Sequence, residues 1–277
     1  MANGVLYIVA TPLGNLEDVT FKAIKVLKSS NAIACEDSRR TVKLLNRYEI
    51  KTPLVTYQEY NKEAAGAKII MRLKKGERIA LVSDAGTPGI SDPGYNLVRD
   101  AIAAGIPVEV VPGPSAIVSA IVLSGLPTDR FCFEGFVPPK QEKRIKKFES
   151  LRDEERTIIF YESPHRIKES LKDMADVLGG RRAALLREMT KLNEEILRGT
   201  VIELSVEISS REKIHGEITL VVEGARHREM IQDNIELLID GEISAFNGSP
   251  SELAKKLSRE TGVSRKLIYT KILEKKR

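Results

Sequence analysis

The sequence lacks the devices by which several common enzyme classes are recognised. No two of its glycines stand at G-x-G spacing, which removes the dinucleotide fingerprint, and no glycine precedes a lysine, which removes the P-loop. Three histidines (His165, His215, His227) and two distant cysteines (Cys35, Cys132) make no zinc spacing, and no G-x-S-x-G elbow marks a serine hydrolase. No metal is expected. Both cysteines lie beside apolar residues and read as buried free thiols rather than a disulfide. No apolar run approaches the roughly 18 residues of a membrane span. The start, Met-Ala-Asn-Gly before "VLYIVA", lacks the positive flank and cleavage pattern of a signal peptide, so a cytoplasmic protein is expected.

What is present is an ordinary globular composition: 277 residues, 42% hydrophobic and 30% charged, enough for two domains. From Gly4 to about Pro112, short apolar runs ("VLYIVA", "AIAC", "PLVTYQ", "RIALVS", "PVEVVP") alternate with amphipathic stretches. That βαβα pattern predicts a mainly parallel sheet covered by helices. The first helix is expected over Asp18 to Ser30, capped by Asp18, with Phe21, Ile24, Val26 and Leu27 on its apolar face.

After "PGPSAIVSAIVLSGLP" the pattern changes. "FCFEGFV", "TIIFYES", "AALLREM", "ILRGTVIELSVEI" and "GEITLVVEG" read as strands with only one or two helices between them, predicting a second α+β domain with a mixed sheet. The basic run Lys140 to Lys147 is either a solvated junction or an RNA-facing surface. Beyond Gly224 the chain reads as helical, with two short helices around Gly262, caps at Ser251 and Ser264, and a helix-turn-helix likeness. From Ser251 to Arg277 there are nine Lys/Arg against three Glu, a surplus exceeding the +5 of the whole chain. The expected parts are 1–114 (α/β), 115–226 (α+β) and 227–277 (basic helical tail).

Four turns fall at predicted strand ends: "TPLGNLEDVT", "CEDSRRT", "LVSDAGTPGISDPG" and "PGPSA". In a parallel sheet such turns share one edge and can floor a cleft with backbone groups. The third holds three glycines, two prolines, two aspartates and two serines, a permissive loop for close approach to a ligand.

Taken in order, "LYIVATPLGNLEDVT", "EDSRRT", "SDAGTPGISDPG", "VVPGPSA", "FYESPHRI" and "LLREMTKLNEE" resemble the motifs of the tetrapyrrole methylase superfamily. Within it they look like the family that methylates a cytidine 2′-hydroxyl of small-subunit (16S) ribosomal RNA. The likeness implies a two-domain tetrapyrrole-methylase-like fold, S-adenosyl-L-methionine held between the domains, and a homodimer. It implies cofactor contacts from Leu13, Gly14, Asp84, Ala85, Gly86, Ile90, Ser115 and Ala116, with Glu162, Met189, Gly216 and Glu217 closing from the second domain.

For the hydroxyl's proton the first candidate base is Asp37, with Asp84 and Glu162 behind it; the alternative for Asp37 is a helix cap or ion-pair cluster. Arg39, Arg40, Arg166 and Lys191 are candidates to grip RNA phosphates. Two other readings stay open: a methylase acting on a tetrapyrrole, and a non-enzymatic nucleic-acid-binding protein that senses a small ligand.

Overall fold

The first five apolar runs become parallel strands, and the three central ones, β1, β2 and β4, are buried along nearly their whole length. The computed structural model describes residues 4–225, 238–243, 246, 248–261 and 265–275. Strands β1 (Leu6–Val9), β2 (Ala32–Cys35), β3 (Leu54–Thr56), β4 (Ile79–Leu81) and β5 (Val108–Val111) lie in the order β3-β2-β4-β1-β5, all parallel. Their covers are α1 (Phe21–Ser29), α2 (Ser38–Arg47), α3 (Lys62–Lys74) and α4 (Tyr95–Ala103). Side chains alternate along a strand, so Ile33, Cys35 and Ala80 pack with Val26, Leu27, Leu44 and Leu45. On the other face Ala34, Ile79 and Leu81 pack with Ile69, Leu73, Leu97 and Ala101. Cover on both sides is why the central strands β2 and β4 read as unbroken apolar runs.

Helix α1 starts later than the sequence pattern implies, and its buried stripe differs from the one expected. Leu16–Asp18 form a 3-10 turn, and the Thr20 hydroxyl, not Asp18, caps α1 by accepting from the Ala23 amide at 3.1 Å. The buried positions are Ala23, Val26 and Leu27, spaced i, i+3, i+4. Phe21 points the opposite way and is 93% exposed, so its place on the apolar face is corrected.

The second sheet is mixed, as expected. Strands β6 (Phe131–Phe136), β7 (Thr157–Glu162), β8 (Arg182–Arg187), β9 (Glu195–Thr200) and β10 (Ile218–Val222) run in the order β6-β7-β10-β8-β9; only β6 and β7 pair in parallel. Helix α5 (Ala116–Ser124) covers one face through Ala120 and Ile121, against Ile159, Ala184 and Val221. Three helices, α6 (Gln141–Ser150), α7 (Ile167–Leu178) and α8 (Val201–Ser210), cover the other.

The helix α8 corrects the reading of "ILRGTVIELSVEI" as one strand. The strand stops at Thr200, where the Thr200 hydroxyl and the Glu203 carboxylate form a capping box; Val201, Leu204 and Ile208 are then buried at helical spacing. A β-branched composition suggested a strand, and the T-x-x-E signature outweighs it.

Met1–Arg152 with Arg156–Glu223 form one unit, and Asp153–Glu155 with Gly224–Arg277 form a second. In the second, helices Pro250–Thr261 and Arg265–Lys275 bring Leu253, Ala254 and Leu257 together with Ile268 and Ile272. The first of them is capped by Ser249, whose hydroxyl accepts from the Glu252 amide at 3.3 Å. Ser251 instead receives the Arg265 guanidinium at 2.7 Å, which corrects the cap assigned to it; Pro250 takes the first helical position and shifts the start by two residues. Ser264, Gly262 and the expected helical stretch 227–237 lie outside the described residues, while 238–243 is helical. Among the described residues no helix is long and apolar enough to cross a membrane.

The basic run at Lys140 to Lys147 is not uniformly solvated. Arg144 is 2% exposed, and its Nε donates to Asp173 Oδ2 of α7 at 2.7 Å, while Gln141 Nε2 donates to Oδ1 at 3.0 Å. Breaking a buried pair leaves one charge without compensation. Asp173→Ala is therefore expected to destabilise the chain by about 3–5 kcal/mol, read as a lower urea midpoint, and Asp173→Leu with Arg144→Met to recover most of it. Equal midpoints for the wild type and Asp173→Ala would show that the pair does not join α6 to α7.

Candidate functional site

The loops leaving β1, β2 and β4 are sewn together at the carboxyl edge of the first sheet. The Thr11 amide donates to the Gly86 carbonyl at 2.9 Å and the Gly86 amide to the Thr11 carbonyl at 3.0 Å, a two-bond bridge between the loops after β1 and β4. The Thr11 hydroxyl also donates to the Ser83 carbonyl at 3.1 Å. The Asp37 amide donates to Asp84 Oδ1 at 3.0 Å, which ties the loop after β2 to the same place. Gly86 sits at φ +73°, a conformation in which glycine avoids steric cost.

Over these strand ends opens a cleft of about 380 Å³, large enough for a small molecule. From the first sheet's loops and the start of α5, it is lined by Leu13, Asp84, Ala85, Gly86, Ile90, Ser115 and Ala116. Glu162, Met189, Gly216 and Glu217 line it from the second sheet. Gly14 does not line it. A Cβ on Gly14 would fall 2.1 Å from Lys191 Cγ, so glycine there lets the Lys191 stem cross the loop after β1.

Several charged residues expected at the site are occupied elsewhere. Asp37 caps α2 by accepting from the Arg39 amide at 2.9 Å and holds the Arg39 guanidinium at 3.0 and 2.7 Å, and neither residue lines the cleft. The side-chain hydrogen bond from Arg39, with that from its amide, holds the Asp37 carboxyl down at about 2. Arg39 is 88% exposed, whereas Arg40 lines the cleft within 3.4 Å of Asp84 and 3.8 Å of Glu217. Glu162 is fully buried and clasped by Arg166, the Ser163 amide and the Ser170 hydroxyl. Arg166 thereby turns inward, and Lys191 Nζ donates to Glu188 at 2.7 Å and Glu217 at 3.2 Å.

The cleft also contains residues that the sequence reading did not single out: Glu36, Asp92, Phe136 and Tyr161. Burial, with the negative charge of Glu36 next, pushes the Asp92 carboxyl up to about 6. Burial and the nearby Asp84 also raise Glu36, and burial with the charges of Asp92 and Glu217 pushes Tyr161 to about 12. Asp92 lies in the very loop that drew attention by its composition. Asp84 is held by the Asp37 amide and faces Arg40, whereas Asp92 forms no ion pair among the described residues, a difference that no local pattern encodes.

A family model, Tetrapyrrole (Corrin/Porphyrin) Methylases, matches residues 5–205. The chain belongs to the tetrapyrrole methylase family. Ribosomal RNA small subunit methyltransferase I of Bacillus subtilis is 50% identical over 230 residues, covering 83% of this chain and 78% of that protein. Its counterpart in Pseudomonas aeruginosa is 42% identical over 281 residues, covering 99% of each. Solved structures share the fold at low identity. Uroporphyrin-III-C-methyltransferase from Thermus thermophilus matches with TM-score 0.56 at 24% identity, over 79% of this chain and 94% of that one. A diphthine synthase matches with TM-score 0.61 at 14% identity, over 82% and 93%.

Tetrapyrrole methylases use S-adenosyl-L-methionine, and the cleft's chemistry fits it. Five carboxylates (Glu36, Asp84, Asp92, Glu162, Glu217) and one guanidinium, Arg40, line the cleft. That balance suits a ligand carrying a sulfonium and an ammonium. A Cβ on Gly86 would lie 3.4 Å from Leu13 Cδ2 and 3.8 Å from the Pro114 carbonyl, so the cradle is narrow at this point. Gly86→Val adds a branched side chain there at an unfavourable φ. A folded Gly86→Val protein is expected to bind S-adenosylmethionine at least about tenfold more weakly, roughly 1.4 kcal/mol, by calorimetry. Unchanged affinity would remove this loop from the cofactor site.

Proposed function

We propose that this chain is a cytoplasmic methyltransferase that 2′-O-methylates a cytidine ribose in small-subunit (16S) ribosomal RNA. The observation that carries the reading is 42% identity along 99% of both chains to a ribosomal RNA small subunit methyltransferase I. The acid-lined cleft at the strand ends supports it. In this reading residues 1–114 and 115–226 supply the two walls of the cleft, and the basic tail 227–277 supplies affinity for RNA.

Bound S-adenosylmethionine supplies a methyl carbon already activated by positive sulfur, so placing the hydroxyl in line carries much of the rate. Backbone groups of Asp84–Gly86 and of Ser115–Ala116 would hold the cofactor, with Leu13, Ile90 and Met189 supplying apolar surface and Gly216 and Glu217 the wall from the second sheet. Arg40, in the cleft, and Arg39, outside it, meet the phosphates that flank the target ribose. Asp37 acts as a positioning residue, since its carboxylate fixes both the first turn of α2 and the Arg39 fork. Glu162 organises the end of β7 by holding Arg166 and Ser170. Lys191 crosses Gly14 and pairs with Glu217, which steadies one wall.

A homodimer accords with Val118 and Val122, one turn apart on α5 and both exposed. Sedimentation at micromolar concentration checks this, and a purely monomeric boundary would exclude it.

The deciding assay offers labelled cofactor with small-subunit particles, free RNA or a porphyrinoid. Label is expected in RNA, at a ribose whose 3′ linkage resists alkali, and not in the porphyrinoid. Transfer to the porphyrinoid alone would replace the reading with the tetrapyrrole one. In the same assay a chain ending at Gly224 is expected to show a higher KM for RNA and a shallower salt dependence, with cofactor affinity kept, because neutralised phosphates release counterions. Equal KM and equal salt slope would free the tail from RNA binding.

A further inference from the structure

The five carboxylates that line the cleft are not equivalent. Glu162 is clasped by Arg166, Ser163 and Ser170; Asp84 accepts from the Asp37 amide and faces Arg40; Glu217 is paired with Lys191. Their oxygens are already engaged. Glu36 and Asp92 form no ion pair among the described residues, and of the two Glu36 has the charge of Arg40 in reach. Asp92 is left half-buried in the cleft, with Glu36, Asp84, Glu217 and Tyr161 around it and the Ser83 hydroxyl within hydrogen-bonding reach.

The backbone beside it is also unusual. Ser91 lies at φ +60°, a left-handed conformation uncommon for serine, directly before Asp92 and two residues after Gly89 at φ +86°. Residues held in sparsely populated conformations cluster where a side chain must be aimed. Here the strained turn presents Asp92 to the cleft.

We propose that Asp92 is the group that accepts the proton of the ribose 2′-hydroxyl, an assignment that rests on the reading of the cleft as an RNA methylation site. As the hydroxyl oxygen bonds to the methyl carbon, the carbon–sulfur electron pair returns to sulfur and the O–H proton passes to the Asp92 carboxylate, which then releases it to water. A base is most effective when its affinity for protons lies near the working pH. Burial among acids puts Asp92 there, at about 6, and hydrogen bonding with Arg39 takes Asp37 away from it, to about 2. Among the described residues Arg40 is the one cation lining the cleft, and its reach to Asp84 and Glu217 leaves Asp92 facing like charge.

The test has an arm that needs no substrate. In the cofactor-free protein, carbon-13 carboxyl NMR is expected to show one aspartate titrating near pH 6 that vanishes in Asp92→Asn. Single-turnover methylation of small-subunit RNA at saturating cofactor supplies the second arm. Wild-type rate should rise with unit slope on the acid side and level off, whereas Asp92→Asn should lose that limb and fall by about 10²-fold or more. Asp92→Glu should restore the limb and part of the rate. A rate within tenfold of wild type for Asp92→Asn overturns the proposal, and so does a large fall with the acid limb intact, the pattern of a merely structural loss. Failure of the underlying reading looks different: the wild-type chain then leaves small-subunit RNA unmethylated at every pH, and the assignment falls with it.

Discussion

Two backbone hydrogen bonds between Thr11 and Gly86 join the loops after β1 and β4 where they floor the cleft. Strands β1 and β4 are neighbours in the sheet although two strands, β2 and β3, lie between them in sequence order, so the loops that leave them emerge side by side. Joining those loops directly fixes the start of the glycine-rich segment relative to the sheet. Leu13, Asp84 and Ala85 inherit their places from that bridge, and Asp37 is drawn in through its amide bond to Asp84. A side chain at Gly86 would strain the backbone at the bridge itself.

Charge in the molecule is divided by location. Carboxylates dominate the cleft, while the basic surplus of the sequence lies in the tail and in exposed side chains such as Arg39. A cationic cofactor and a polyanionic substrate place opposite demands on a protein surface, and the roles proposed for cleft and tail follow this division. Within the cleft the acids differ again by partner: Glu162 is a strut, Asp84 and Glu217 anchor loops and cations, and Glu36 and Asp92 carry no ion pair among the described residues. Burying several like charges together raises their affinity for protons, and in this cleft the effect is largest at Asp92.

The sheet-and-helix layout could be read from the sequence wherever burial is two-sided and periodicity is strong. Runs such as Ala32–Cys35 had no competing interpretation, and the turns after them carried the glycines and prolines that mark strand ends. Less legible was anything that depends on where a helix begins. Thr20 rather than Asp18 starts α1; Thr200 starts α8 and ends an apparent longer strand; Ser249 rather than Ser251 caps the helix Pro250–Thr261. Each of these is a competition between neighbouring polar residues for the same amide donors, decided by packing that the local sequence does not contain.

The contrast between Asp37 and Asp92 follows from the same competition. Asp37 stands directly before a helical run, where a short acid is drawn to the free amides of the first turn, and an arginine two residues later completes its coordination. Those bonds hold its carboxylate in the charged form and aim it along the helix instead of into the cleft. Asp92 precedes a helix as well, but Pro93 and Gly94 separate it from α4, whose N-cap is Gly94, so its carboxylate stays outside that first turn. With Ser91 turned into the left-handed region, the side chain instead joins the acids of the cleft. Two residues of spacing before a helix thus separate an aspartate that stabilises structure from one left available for chemistry.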